Sequence, residues 1–344
     1  MRVPTWRTRF ALIIALSLLC GSVSPAHAAY HLLKKVVLGG DGGWDLLSLD
    51  GEGRRLYVAR SNRVMVIDAD SYKLIAEIQN TPGVHGVAVA HDLGRGFTTN
   101  GGDTSATIFD IRTLRQIGRV TTGARPDAIA YDSASGRVFT MNAGSHDATA
   151  IDATQGKVVG TVPLGGRPEF AVTDGKGRLF VNLEDSSAVQ VVDTRTLAPV
   201  ARWPLSPGTE PSGLAIDRER HRLFAVCADS LMIVMDSNNG RVITSLPIGR
   251  GVDAAGFDPA TRRAYSSNGA GSLTVVQEEG PDSLRVLEDV PTQPGARTMA
   301  LDEKSHRVLL VSASFGPPPA ATPEHPHPRG PVLPESFVLL VYGE

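Results

Sequence analysis

The sequence predicts an all-β protein folded as a seven-bladed β-propeller, and three observations carry this prediction. First, two short apolar runs joined by a turn recur seven times, and successive copies begin 40 to 44 positions apart. Second, two further strand-like runs follow, as at 148–152 and 157–164, and four short strands per unit are typical of a propeller blade. Third, no segment longer than a turn has the apolar period of an amphipathic helix. The seven copies begin at Asp45, His85, Asp127, Glu169, Ser212, Asp253 and Arg297.

The two ends of the chain indicate how the ring closes. The seventh copy supplies three strands, at 297–302, 306–312 and 336–343, and its outer strand is missing. At the other end, "KKVVLGG" (34–40) resembles "KVVGTVPLGG" (157–166), which contains an outer strand. We therefore expect the N-terminal strand to complete the last blade and to cover its open sheet edge.

The first 28 residues have the pattern of a signal peptide. Arg2, Arg7 and Arg9 precede an apolar run at 10–20, and small residues end in an A-x-A site at Ala28. We expect Sec-type export and cleavage after Ala28, which leaves residues 29–344 as a single monomeric propeller domain in the periplasm or outside the cell. No later segment is apolar enough to predict a membrane span.

Charge and cysteine content limit the possible partners. Loss of residues 1–28 removes three arginines and no acids, so the net charge of −2 becomes −5. This argues against nucleic acid as a partner, although Arg60, Arg63, Arg95 and Arg125 could still build a basic stripe.

After cleavage, Cys227 is the single cysteine, which excludes an intramolecular disulfide and indicates a buried thiol.

The second strands of the repeats carry a family resemblance. "LYVA" (56–59), "FTTN" (97–100), "FTMN" (139–142) and "LFVN" (179–182) resemble the strands of YVTN-repeat propellers. From about residue 30 to 344 the chain is similar to exported YncE-like proteins of that group. The resemblance implies a bacterial periplasmic propeller without a catalytic motif, and a fold by itself does not assign a function.

Two further columns of repeated residues have structural interpretations. An acid ends the third strand of most repeats, and we expect it to cap the following turn: Asp68, Asp110, Asp152, Asp193 and Asp236. An arginine follows the first turn, and we interpret this column as solvated turn or edge residues: Arg55, Arg137, Arg178, Arg222 and Arg263.

The residues that begin the inner strands predict a ligand site. In a propeller the first strand of each blade lines the central channel, so these residues meet at one channel mouth. Clustered carboxylates have raised pKa values unless a cation or a hydrogen-bond donor compensates them. A bound cation, a cationic or polyhydroxyl ligand, or an arginine of the ring itself would each do so. The predicted mouth residues are Asp45, His85, Asp127, Glu169, Glu210, Asp253 and Arg297.

A proline-rich insertion at 315–335, called the arm, lies between the second and third strands of blade seven. Its eight prolines favour an extended, semi-rigid backbone on the face of the mouth. His325 and His327 would point to the same side, and with Arg329 they could form a lid or a docking arm. A site for Zn, Cu, Ni or Fe at His85, His146, His325 or His327 is the other interpretation, although no metal-ligand spacing motif supports it.

The sequence leaves two functions open. The first is a non-catalytic scaffold that binds a periplasmic protein or a small ligand through the mouth and the arm, with no established cofactor. The alternative is a metal-dependent lactone hydrolase, lyase or oxidoreductase at the same mouth. In that case His85 would be the general base, and Asp127 or Glu169 the acid or metal ligand.

Overall fold

The computed structural model describes Met1, residues 29–320, Thr322 and residues 330–344. The predicted signal peptide, apart from Met1, therefore lies outside the described residues. The same holds for the arm residues His325, His327 and Arg329.

In the described ranges, strands form seven antiparallel sheets of four, joined by turns and two short 3₁₀ helices at His91–Leu93 and Glu184–Ser186. In chain order, β1 to β28 are His31–Val37, Leu47–Asp50, Arg55–Arg60, Arg63–Asp68, Leu74–Ile78, Val84–Ala90, Arg95–Asn100, Ser105–Asp110, Gln116–Thr121, Pro126–Asp132, Arg137–Asn142, Asp147–Asp152, Lys157–Pro163, Pro168–Thr173, Arg178–Leu183, Ala188–Asp193, Ala198–Pro204, Pro211–Asp217, Arg222–Cys227, Leu231–Asp236, Val242–Pro247, Val252–Asp258, Arg263–Asn268, Ser272–Gly280, Ser283–Pro291, Met299–Asp302, Arg307–Ser312 and Val338–Gly343. Among the described residues, no helix has the length and apolar character that a membrane crossing requires.

The sheets are the blades of a closed ring, which confirms the predicted seven-bladed propeller. Blade one is β2–β5, and each later blade takes the next four strands, up to blade six at β22–β25. Blade seven has the order β1-β28-β27-β26, so the N-terminal strand closes it as predicted. The pairing runs from His31 opposite Gly343 to Val37 opposite Val338, which places the strand three residues before the predicted bounds. Each inner strand contacts the inner strand of the next blade, so all seven surround one channel.

Aromatic side chains between the blades form much of the core. The third residue of the second strand is aromatic in blades one to six and fully buried in each. Burial of one such ring is worth about 2–3 kcal/mol, so one position of the repeat supplies an equivalent contribution to six blade interfaces. The aromatic residues are Tyr57, Phe97, Phe139, Phe180, Phe224 and Tyr265.

Cys227 is buried and unpaired, as predicted, and burial raises the pKa of its thiol to about 12.

The capping acids also lie as predicted, at the end of the third strand in blades one to five. In blade two, Asp110 Oδ1 accepts hydrogen bonds from the backbone N–H and the hydroxyl of Thr113, at 2.7 and 2.8 Å. The equivalent acids accept turn N–H groups in blades one, three, four and five. These side chains therefore satisfy backbone donors in the turns.

The interpretation of the arginine column was wrong, because these arginines join the blades. Arg137 of blade three donates to the carbonyl of Thr194 in blade four at 2.6 Å, and Arg222 of blade five donates to Pro281 in blade six at 2.9 Å. A long side chain at the start of the second strand reaches the turn after the third strand of the next blade, where carbonyl groups need donors. Five blades make this contact to a carbonyl, through Arg55 to Ile111, Arg95 to Ala153, Arg137 to Thr194, Arg178 to Ser237 and Arg222 to Pro281. In the other two blades, the arginine at this position contacts a side chain of the next blade: Arg263 the Glu344 carboxylate and Arg307 the Tyr72 hydroxyl.

Replacement of one of these arginines is expected to loosen a blade interface. Arg137→Leu removes the donor to the carbonyls of Thr194 and Arg195. We expect the free energy of unfolding to fall by about 1.5–3 kcal/mol, the usual effect of losing charged hydrogen bonds. Urea denaturation measures this, with Arg112→Leu at an exposed turn as the matched control. Equal stability of the two variants would contradict the role of the arginine column.

Candidate functional site: the channel mouth

The mouth is a cavity of about 330 Å3 where the inner strands begin. Backbone hydrogen bonds fix its rim, since Leu46 N–H donates to the carbonyl of His85 at 3.1 Å and Asp45 N–H donates to Ala59 at 3.2 Å. Six carboxylates and two guanidinium groups line it, so negative charge is in excess. These are Asp45, Asp127, Glu169, Glu184, Glu210 and Asp253, with Arg167 and Arg297.

His85 joins two of the carboxylates at one side of the mouth. Its Nδ1 lies 2.5 Å from Asp45 Oδ2 and 3.7 Å from Asp127 Oδ1. The hydrogen bond to Asp45 raises the pKa of His85, although burial opposes this. Burial raises the pKa of the Asp127 carboxyl. The imidazole lies against Gly101, where an added Cβ would be 2.7 Å from His85 Nε2, so the glycine makes room for the ring.

A second group of charges surrounds Glu169. Arg167 Nη2 lies 3.2 Å from Glu169 Oε1, and the same nitrogen contacts Glu184. Burial and the nearby carboxylates Asp127 and Glu184 raise the pKa of Glu169 to about 8. One guanidinium therefore only partly compensates this group of acids, and Glu169 keeps its proton to a higher pH than an exposed glutamate does.

Sequence reasoning missed Arg167, which precedes the blade-four inner strand by one residue. The sequence pattern that could have identified Arg167 is a basic residue two positions before an inner-strand acid. Arg125 precedes Asp127 in the same way. Arg297 was predicted at the mouth and pairs there with Asp253, at 3.2 Å between Nη1 and Oδ2. Its Nη2 lies 3.9 Å from Asp45.

Phe170 forms the floor of the mouth. It is half-buried and packs against three core clusters. One of these clusters is built from residues of blades six and seven. Phe170 belongs to blade four, so its side chain can reach that cluster only by extending across the channel. Phe170 therefore separates the mouth from a second cavity at the other end of the channel, which the sequence did not predict. That cavity measures about 650 Å3 and has Val87, Ile129 and Leu301 on its walls.

The base of the arm lies beside the mouth. The Gly316 N–H donates to Pro331 at 2.8 Å and the Leu333 N–H donates to Ser314 at 2.9 Å. The Phe315 ring lies 5.8 Å from that of Trp44, the residue before Asp45. The arm is thus an insertion between the second and third strands of blade seven, as predicted.

Other predicted residues lie apart from this group. His146 is exposed in the turn before β12, and it does not belong to the one group of potential metal ligands found among the described residues. The suggested basic stripe does not form, because Arg60 is fully buried, with its guanidinium 3.7 Å from the ring centre of Phe337. Arg63 pairs with Asp41 and Glu77.

Comparisons with known proteins bear on the fold. No family model and no curated protein matches the sequence. Among solved structures, the chain is similar to a chain of the crystal structure of a mitotic checkpoint complex, with a TM-score of 0.74, 14% identity and 99% of each chain covered. It is also similar to the hydrazine synthase of Kuenenia stuttgartiensis, with a TM-score of 0.67, 16% identity, and 78% of this chain and 92% of that chain covered. At these identities the likeness concerns the fold alone.

Proposed function

We propose that the protein is an exported, YncE-like binding protein that holds a cationic group of a periplasmic protein or small ligand in the mouth. The observation that carries this is the excess of six carboxylates over two guanidinium groups in one cavity. A desolvated group of like charges is stabilised by a bound opposite charge. The propeller scaffold suits protein interaction, and one similar chain belongs to a structure described as a complex.

The catalytic alternative has less support. As a general base, His85 needs a free ring nitrogen near the substrate. Its Nδ1 is engaged by Asp45 at 2.5 Å, and its Nε2 lies against Gly101, while His85 is not among the residues that line the 330 Å3 cavity. Binding of a cationic group at the mouth does not require a free ring nitrogen on His85.

Calorimetric titration with agmatine, which carries a guanidinium and an ammonium group, tests the proposal. In a titration of metal-free protein at pH 9, where the Glu169 carboxyl is mainly ionised, we expect saturable binding of one agmatine per chain, and we expect Glu169→Gln to weaken it roughly tenfold because a partly buried charge pair is lost. Glu52→Gln is the matched control, since Glu52 is exposed beside the second cavity. Undiminished binding to a Glu169→Gln/Glu210→Gln variant would refute the proposal.

The pH dependence gives a further expected result. Because the pKa of Glu169 is about 8, its carboxyl becomes fully charged only above that pH. Agmatine affinity should therefore rise between about pH 7 and pH 9, while the ligand stays cationic. The Glu169→Gln variant should lack this rise, and a rise of the same size in the variant would assign it to another group.

A further inference from the structure

The geometry points to a Zn²⁺ site at one side of the mouth, held by Asp45, His85 and Asp127. This inference rests on the proposed function in using the mouth as a cation site, but it assigns a different cation to different residues. Among the described residues, these three form the only group whose potential metal-ligand atoms all lie within 4.8 Å of one another.

The hydrogen-bonding pattern of His85 supports a metal. A single atom, Nδ1, lies 2.5 Å from Asp45 and 3.7 Å from Asp127. A proton on Nδ1 is donated to the nearer carboxylate, which is that of Asp45. Within the described residues, no hydrogen bond reaches the side chain of Asp127. A cation between the three atoms would be bound by both carboxylates and by the nitrogen lone pair at once.

The ligand chemistry selects the class of ion. One imidazole and two carboxylates suit Zn²⁺ and its first-row neighbours, whereas Ca²⁺ prefers oxygen ligands alone. Zinc lies about 2.0–2.2 Å from such ligands, so slight rotation of the aspartates brings all three into range. Asp45 and Asp127 both line the 330 Å3 cavity, which leaves space at the ion for water or for a donor group of the proposed partner.

The three ligands come from three different blades. Asp45, His85 and Asp127 occupy equivalent positions at the start of the inner strands of blades one, two and three. His85 and Asp127 lie at irregularities of strand pairing and Asp45 just before its strand, but backbone hydrogen bonds hold the first two blades here without an ion, from Asp45 N–H to Ala59 and from Leu46 N–H to the carbonyl of His85. The site is therefore preorganised, and loss of one ligand should weaken metal binding without unfolding the propeller.

Calorimetric titration of the tag-free 29–344 chain with ZnCl₂ tests the site. We expect one Zn²⁺ per chain, with affinity lowered roughly tenfold or more by His85→Gln and by Asp127→Asn. His146→Gln, at the exposed turn histidine of the same face, should bind as the unaltered protein does. Thermal melting of each metal-free variant checks that it is folded.

Cobalt provides a readout that does not depend on affinity alone. Co²⁺ bound by His85 should give visible absorption bands that His85→Gln removes and Glu169→Gln retains. Zinc binding that is equal in all variants, or matched by CaCl₂ with His85 dispensable, would overturn the site. Because agmatine binding is measured on metal-free protein and depends on Glu169, the two proposals can fail separately.

Discussion

Deletion of residues 29–37 is expected to abolish most of the stability of the propeller. This segment contributes strand β1, whose six paired residues complete blade seven, and Tyr30, which is 4% exposed. Tyr30 joins blade seven to blade six through a 2.7 Å hydrogen bond to the hydroxyl of Tyr265. Each lost hydrogen bond lowers the free energy of unfolding by about 0.5–1.5 kcal/mol, and the lost burial of one aromatic ring lowers it further. The total reaches roughly 5 kcal/mol or more.

Thermal melting of the truncated and full 29–344 chains measures this effect. A loss of that size is a large part of the total stability of a typical protein, and the exposed edge of β28 should also promote aggregation. A synthetic peptide of residues 29–40 should restore stability by pairing with that edge. Lys35→Ala changes an exposed side chain of the same strand and serves as the control. If the truncated chain melts like the control, closure by β1 does not hold the ring.

The fold could be predicted from the sequence because each blade is specified locally. Alternating apolar runs, turns and a fixed repeat length define a blade without reference to distant residues, and the missing outer strand of the last repeat indicated closure. Strand bounds at the N-terminus were less certain, since β1 is exposed on most of its side chains and its apolar pattern is correspondingly weak.

Contacts between blades were harder to predict. Arg137 and Arg222 have the same local sequence pattern as solvated turn residues, and only the stacking of blades shows that they bond to carbonyls about 58 residues away. Arg60 has an ordinary strand-end sequence, and it is buried because Phe337, which follows the arm, packs over it. In each case the partner belongs to another repeat, so the pattern within one repeat carries no signal.

The candidate site was predicted in part. The repeat register correctly places Asp45, His85 and Asp127 together, because inner strands of adjacent blades are neighbours. The register did not give the role of Arg167 between Glu169 and Glu184, or the position of Phe170 across the channel. Both depend on side-chain direction and on the channel width, which spacing along the chain does not specify.

Asp302→Asn is expected to weaken the contact between blades seven and one far more than Asp70→Asn does. Arg54 of blade one donates two hydrogen bonds of 2.7 Å to Asp302, whose side chain is 2% exposed. Without the Asp302 charge, the Arg54 guanidinium stays partly buried and lacks this partner. This lowers the free energy of unfolding by about 3–5 kcal/mol. Asp70, also bonded to Arg54 but 62% exposed, offers the matched control Asp70→Asn, with an expected loss below about 1 kcal/mol.

The effect should depend on pH with a definite sign. Burial alone would raise the pKa of Asp302, but hydrogen bonds from Arg54 and Ser305 lower it to about 2, from 3.8 in an unfolded chain. Folding is therefore stabilised by the ionised carboxylate above about pH 4, and this contribution is lost as the pH falls toward 2. Urea denaturation between pH 2.5 and pH 7 should show the difference between the unaltered protein and Asp302→Asn shrinking as acid is added. A difference that stays constant over this range would mean that the charge of Asp302 contributes little, and that the variant acts through packing at the blade interface instead.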